Sequence, residues 1–423
     1  MNHFFLHDKK HHQKIRLCYN YNLHLHPFVH ANIEVPTMSS TAEKEAPSQN
    51  IDLGLADITI CESEICFIDG DEGRLVYRGY DAIELAKQST FEEVAYLLWY
   101  GALPRPTEFK AFLAGFTGSM ALPIETVMIM RMFPKAATPM EVIRTAVSSL
   151  GHWDPDSGNT GLDASLRKAQ RLTLRIPLLI AAHQRLREGK EPLTPIPGHG
   201  IAFNFLYTLF GKEPDPMTEK AFDAALILHA DHELNASTFS ARVTASTMAD
   251  IYSSVTSAIG TLKGPLHGGA NMEVMLMLQE IGEPGKTRAY IENKLASKEK
   301  IPGFGHRVYR CEDPRVDLLR NCAKALSEKG GDTTYFEITQ EIQKIVVERT
   351  KVFPNVDLYT ASLYHAIGLP MELFTPIFAI SRTVGWTSHI LEQWSNNKLI
   401  RPRADYIGPK SYCYIPIKER ARG

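Results

Sequence analysis

The stretch Thr138-Pro-Met-Glu-Val-Ile-Arg-Thr-Ala-Val147 reads as the opening turns of an amphipathic helix. A threonine stands at the cap, a glutamate three residues on can reach back to it, and Pro139 falls where a missing N–H costs nothing. Val142, Ile143, Ala146 and Val147 then recur at helical spacing, so one face is apolar. Thr90-Phe-Glu-Glu93 repeats the capping box ahead of Leu97 and Leu98. Outward from these, periodic segments run near 164–187, 218–231, 249–262, 272–281, 286–298, 314–328, 334–350 and 371–395. The exception is Ile58 to Tyr77, where β-branched and aromatic residues flank Asp69-Gly-Asp-Glu-Gly73 and predict a hairpin. No repeat of about 20–50 residues is visible. The expected class is all-α with one small N-terminal β ribbon.

Composition narrows the function. The chain has 423 residues, 44% apolar and 22% charged, which suffices for two domains and a large core. A net charge of −2 gives no global argument for nucleic acid or an anionic membrane as partner. No apolar run approaches the ~20 residues of a spanning helix. The six cysteines (Cys18, Cys61, Cys66, Cys311, Cys322, Cys413) form no Cys-x-x-Cys pair, so a soluble, cytoplasmic protein with free thiols is expected.

Residues 1–50 differ from the rest and are expected to be a disordered leader and linker. Residues 1–37 hold seven of the sixteen histidines without ligand spacing, and Met38 opens a polar stretch that makes it an alternative start. The segment has neither the h-region of a secretion signal nor the composition of a transit peptide.

The chemistry-bearing residues concentrate late in the chain. His267 lies in Gly264-Pro-Leu-His-Gly-Gly-Ala-Asn271, His306 in Pro302-Gly-Phe-Gly-His-Arg-Val-Tyr309, and Asp357 in Phe353-Pro-Asn-Val-Asp-Leu-Tyr359. Glycine and proline stop helices, so titratable groups beside them sit at helix ends or loops, where backbone can close around a ligand. A desolvated carboxylate can act as general base, and two imidazoles can donate to carbonyl oxygens where negative charge develops, which suits enolisation. Arg315, Arg382 and Arg401 are natural clamps for a dicarboxylate. His229-Ala-Asp-His-Glu233 is the one metal-like cluster, and it keeps open an all-α metal-dependent phosphohydrolase using His229, Asp231, His232 and Glu233. An inactive helical scaffold is a third alternative. Phosphate loops, dinucleotide fingerprints, nucleophile elbows and His-Glu-x-x-His are absent from the sequence.

These motifs, with Asp313-Pro-Arg315, Ser381-Arg-Thr-Val-Gly385, Arg401-Pro-Arg403 and Tyr77-Arg-Gly-Tyr-Asp81, resemble the signature set of the citrate synthase family over about 55–410. The wording is similar to the shorter bacterial and archaeal branch, which includes 2-methylcitrate synthases. The resemblance implies the citrate synthase fold: a large helical domain, 51–267 with 365–423, and a smaller mobile one, 268–364. It implies condensation of acetyl-CoA with oxaloacetate and hydrolysis of citryl-CoA, with propionyl-CoA and 2-methylcitrate as the alternative. It also implies roles. His267 binds the thioester carbonyl, Asp357 removes the methyl proton, and His306 polarises the keto oxygen. His232, Arg315, Arg382 and Arg401 bind oxaloacetate or citrate, with Arg401 donated across a homodimer. Lys300, Ile301, Pro302, Gly303 and Phe304 recognise the adenine of CoA, and Arg307 and Arg310 contact its phosphates. Cofactor and metal are expected to be none. Acyl length is left open, since one methylene is worth only about 1–3 kcal/mol of discrimination.

Overall fold

The computed structural model describes residues 54–420 apart from 56–57 and 118–119, and the expected leader, 1–50, lies outside the described residues. The chain divides into two units, Met1–Ile60 and Cys61–Gly423, and the second carries the helices and strands.

An antiparallel hairpin, β1 (Cys66–Asp69) and β2 (Arg74–Tyr77), opens this unit, as the sequence predicts. Asp69 Oδ1 accepts the Asp71 and Glu72 N–H groups and so tightens the turn. A two-residue strand, β3 (Tyr80–Asp81), extends the sheet in the order β1-β2-β3. Among the described residues sixteen α-helices follow. The first eight are α1 (Ala82–Gln88), α2 (Phe91–Tyr100), α3 (Pro106–Thr117), α4 (Ile124–Arg131), α5 (Pro139–Leu150), α6 (Leu162–Arg187), α7 (Ile201–Phe210) and α8 (Pro216–His229). The rest are α9 (Ala236–Ser246), α10 (Ile251–Leu262), α11 (Ala270–Ile281), α12 (Thr287–Ala296), α13 (Val316–Gly330), α14 (Thr334–Thr350), α15 (Val356–Ile367) and α16 (Phe374–Ser395).

The Thr138 cap holds: Glu141 accepts the Thr138 N–H at 3.0 Å and also pairs with Lys263. The box at Thr90 forms only by half. Thr90 Oγ1 accepts from the Glu93 N–H, but the Glu93 carboxylate turns to Ser89 Oγ instead of the Thr90 amide.

Helix α16 is the axis of the larger packing group. It is buried nearly all round, and α2, α5, α6, α8, α9 and α10 pack against it. Most of its hydroxyls return to the helix backbone, as Thr383 to Ala379 O and Thr387 to Thr383 O, while Thr375 and Ser381 donate to Gly268 O and Leu226 O, so burial leaves them satisfied. Helices α11 to α15 pack mainly on one another, with α15 against α11, α13 and α14. Of the candidate site residues, His232, His267, Asp357 and Arg382 lie on or just beside α8, α11, α15 and α16, where α16 packs on α8 and α11 and α11 packs on α15.

Candidate active site

Each imidazole of the predicted trio is held in one tautomer by backbone that cannot reverse its role. His306 Nδ1 accepts the Val308 and Tyr309 N–H groups at 3.0 and 3.1 Å. The ring proton is therefore on Nε2, which is left to donate. His267 Nε2 accepts the Ser237 N–H at 3.2 Å and lies 2.8 Å from Ser237 Oγ, so its proton is on Nδ1. Both imidazoles are neutral. Burial pushes each down to about 4, with Arg382 adding to the effect at His267 and Arg315 at His306.

The Ser237 support is itself anchored. Trp386 Nε1–H donates to Ser237 Oγ at 3.0 Å from α16, and the same hydroxyl donates to Asn235, the N-cap of α9, at 2.8 Å.

Asp357 sits in the first turn of α15, behind the N-cap Asn355, whose side chain accepts its N–H at 3.1 Å. Its carboxylate makes no hydrogen bond among the described residues, and burial raises it to about 6 even though Arg315 and Arg382 pull the other way. Such a group is a stronger base than an ordinary aspartate while still ionised at neutral pH.

Arg315 and Arg382 are both 2% exposed. Arg315 forms a two-pronged ion pair with Asp313, Nε to Oδ1 at 2.9 Å and an Nη to Oδ2 at 2.7 Å. Burial alone would raise Asp313, but the guanidinium holds it below the usual carboxylate range. Arg382 has no carboxylate within ion-pair distance among the described residues. Its Nε–H donates to His229 O at 2.8 Å, its guanidinium lies 4.6 Å over the Phe378 ring, and burial lowers its proton affinity. A buried cation with no carboxylate in contact is suited to hold an anion.

His232 completes the cluster. Its ring is 5.1 Å from that of His306, and its buried Nε2 has no partner among the described residues. The field of Arg315 reaches His232, His306 and Asp357, and that of Arg382 reaches His232, His267 and Asp357, so the two guanidiniums link all four.

The expected CoA stretch lies beside Asp357. Phe304 bridges antiparallel to Pro354, Gly303 O accepts the Asn355 N–H at 2.9 Å, and Gly305 N–H donates to Phe353 O at 2.9 Å. Gly303 has φ +85, and a Cβ there would crowd Leu358 and Val274 at 3.0 Å. Lys300 and Arg307 are exposed. Arg310 reaches Asp71 at the hairpin tip, 3.2 Å away, and its N–H donates to Gly70 O at 2.8 Å. Arg401 is not brought to the site in this chain: it is exposed, with no ion pair or hydrogen bond among the described residues.

The metal-like cluster disperses. His229 Nδ1 is 2.8 Å from Ala225 O, Asp231 Oδ2 faces His389 at 3.3 Å, and His232 turns to His306. Among the described residues no group of three or more His, Cys, Asp or Glu side chains is arranged to hold a metal ion.

A family model described as citrate synthase, C-terminal domain, matches residues 54–403. The chain belongs to the citrate synthase family. It is 48% identical over 369 residues to citrate synthase 2 of Bacillus subtilis, covering 87% of this chain and 99% of that one. It is 40% identical over 382 residues to a 2-methylcitrate synthase of Mycobacterium tuberculosis, covering 90% and 97%. Among solved structures, the citrate synthase of Thermoplasma acidophilum, in a ternary complex with carboxymethyl coenzyme A and oxaloacetate, superposes with a TM-score of 0.83 at 31% identity. That match covers 88% of this chain and 100% of the other. The citrate synthase fold and an acyl-transferring enzyme follow from membership, and the phosphohydrolase alternative falls with it.

Proposed function

We propose that this citrate synthase family member makes citrate from acetyl-CoA and oxaloacetate, and that His267, His306 and Asp357 carry the reaction. One observation supports this most: two neutral imidazoles of fixed tautomer and one basic carboxylate surround a pair of buried arginines. Asp357 takes a methyl proton from the thioester while His267 Nδ1–H donates to the carbonyl oxygen that becomes the enol oxygen. The enol carbon attacks the keto carbon of oxaloacetate, and His306 Nε2–H donates to the oxygen that gains the charge. Water then cleaves citryl-CoA to citrate and free CoA.

His232, Arg315 and Arg382 hold oxaloacetate in this reading, and Lys300 to Phe304 with Arg307 and Arg310 meet CoA. Arg401 reaches the site of a partner subunit in a homodimer. Residues 268–364 close on the remainder, a reading supported by the mutual packing of α11 to α15. No resident cofactor or metal is required. Among the described residues no helix is long and apolar enough to cross a membrane. A cytoplasmic location is supported by the free thiols Cys61, Cys66, Cys311, Cys322 and Cys413.

The experiment is CoA release from acetyl-CoA with and without oxaloacetate: release only when both are present is expected, and its absence with any short acyl-CoA overturns the reading. The likeness to a 2-methylcitrate synthase favours a second acyl substrate. The ratio of kcat/KM for acetyl-CoA and propionyl-CoA decides between them.

A further inference from the structure

The Tyr309 ring lies against those of His232 and His306 and within the field of Arg315, and the roles proposed for those three leave Tyr309 unused. Its ring centroid lies 5.6 Å from that of His232 and 4.6 Å from that of His306. The residue is 5% exposed, and its buried Oη has no hydrogen-bond partner among the described residues. Packing alone does not account for this hydroxyl, because phenylalanine fills nearly the same space without burying an unpartnered polar atom.

The surroundings of the phenol have hydrogens to give and few acceptors. Arg315 carries only N–H groups, and His306 presents Nε2–H because two backbone amides occupy its Nδ1. Asp313 is already taken: its Oδ1 accepts from the Arg315 backbone and Nε, and its Oδ2 accepts from the same guanidinium and from the Val356 N–H. Burial keeps the phenol protonated well above its ordinary range, although Arg315, the strongest charge acting on it, pulls it down. His232 Nε2, on a residue proposed to hold the keto acid, is unpartnered in the same way among the described residues. The Arg315 N–H groups, His306 Nε2–H and the phenol O–H together match an acceptor-rich anion.

We infer that Tyr309 is a further substrate-binding residue, whose Oη–H donates to a carboxylate oxygen of oxaloacetate beside Arg315. The inference rests on the citrate synthase reading of the site. It gives the motif Gly305-His-Arg-Val-Tyr309 two substrate contacts, His306 on the keto oxygen and Tyr309 on a carboxylate.

Tyr309→Phe tests it, since only the oxygen is removed. The KM for oxaloacetate is expected to rise about tenfold or more, as for a lost hydrogen bond to a charged group. The KM for acetyl-CoA at saturating oxaloacetate should stay unchanged. The melting temperature without ligand should hold or rise, and the increase produced by adding oxaloacetate should shrink. An unchanged KM with an intact oxaloacetate-induced thermal shift overturns the inference. So does a lower melting temperature without ligand at unchanged KM, which would mark a structural hydroxyl. If the unaltered protein releases no CoA, the citrate synthase reading fails, and the thermal shift, which needs no turnover, still decides Tyr309.

Discussion

Asp313 and Val356 are joined across 43 residues of chain: the Asp313 carboxylate accepts the Val356 N–H at 3.1 Å while it grips the Arg315 guanidinium. The loop that carries Arg315 and the helix start that carries Asp357 are thereby one unit. The proposed anion clamp and the proposed general base are positioned by the same carboxylate.

Asp313→Asn should therefore damage stability and both halves of the site. It leaves the Arg315 guanidinium buried beside a neutral group, and losing one partner of a buried pair costs about 3–5 kcal/mol. Denaturant unfolding should show that loss, and steady-state kinetics should show a higher KM for oxaloacetate with a lower kcat. A variant with native stability and native kinetics would contradict the shared role.

In the proposed mechanism the raised Asp357 sets the acid side of the rate profile. As a base it must be ionised, so kcat/KM for the acyl-CoA should fall as pH drops through about 6, above the ordinary aspartate range. Asp357→Asn should reduce kcat by about 10²–10⁴-fold, the usual worth of a positioned base. Its melting temperature should be unchanged or higher, because a desolvated carboxylate has been removed. A rate that stays flat down to pH 5 would remove Asp357 from the proton transfer.

A neutral His306 should leave its mark on stability as well. Burial holds it down to about 4, against roughly 6.5 in an unfolded chain, so between those values the unfolded state binds the extra proton. Its effect on folding is therefore neutral above about pH 6.5 and grows unfavourable as pH falls toward 4. Buried carboxylates raised by desolvation, Glu92 and Asp223 among them, have the opposite slope, but a His306→Gln variant keeps them all. The unfolding free energy of that variant, measured against the unaltered protein, should improve as pH goes from 7 to 5. A difference that does not change with pH would give His306 an ordinary proton affinity.

Ser237→Ala separates the two contacts to His267. The backbone N–H of residue 237 remains and still selects the Nδ1–H tautomer, so turnover should fall less than about tenfold, well short of the loss of a catalytic acid or base. The Trp386 indole N–H loses its acceptor, which should cost about 1–3 kcal/mol of stability. A collapse of activity at native stability would show that the hydroxyl, not the amide, controls the imidazole.

The physics that makes parts of this molecule legible from sequence hides others. Helices with one wet face, such as α5 and α13, announce themselves by period. Helices α7 and α15 are buried on most sides, so Ile201–Phe210 and Val356–Ile367 carry apolar residues without a readable stripe. His267, His306 and Asp357 stand out because glycine and proline surround them. Their supports do not, since Trp386 meets Ser237 across 149 residues and Asp313 meets Val356 across 43, and no local spacing encodes either pairing. The ion pair that Arg310 makes with Asp71 and the bond of its N–H to Gly70 O, both in the distant hairpin turn, are likewise encoded by no local spacing.

Arg401 offers the sharpest test of assembly. It is exposed in this chain, and the proposal places it in a partner subunit's site. Arg401→Ala and Asp357→Asn proteins should each be nearly inactive alone. In a mixed dimer, one site combines both defects, and the other combines an intact Asp357 with an intact Arg401 from the partner. Equal mixing with free exchange makes about half the dimers mixed, each with one working site of two, so about a quarter of native activity should return. If Arg401 served its own subunit, every site in every dimer would still carry a defect, and mixing would restore nothing.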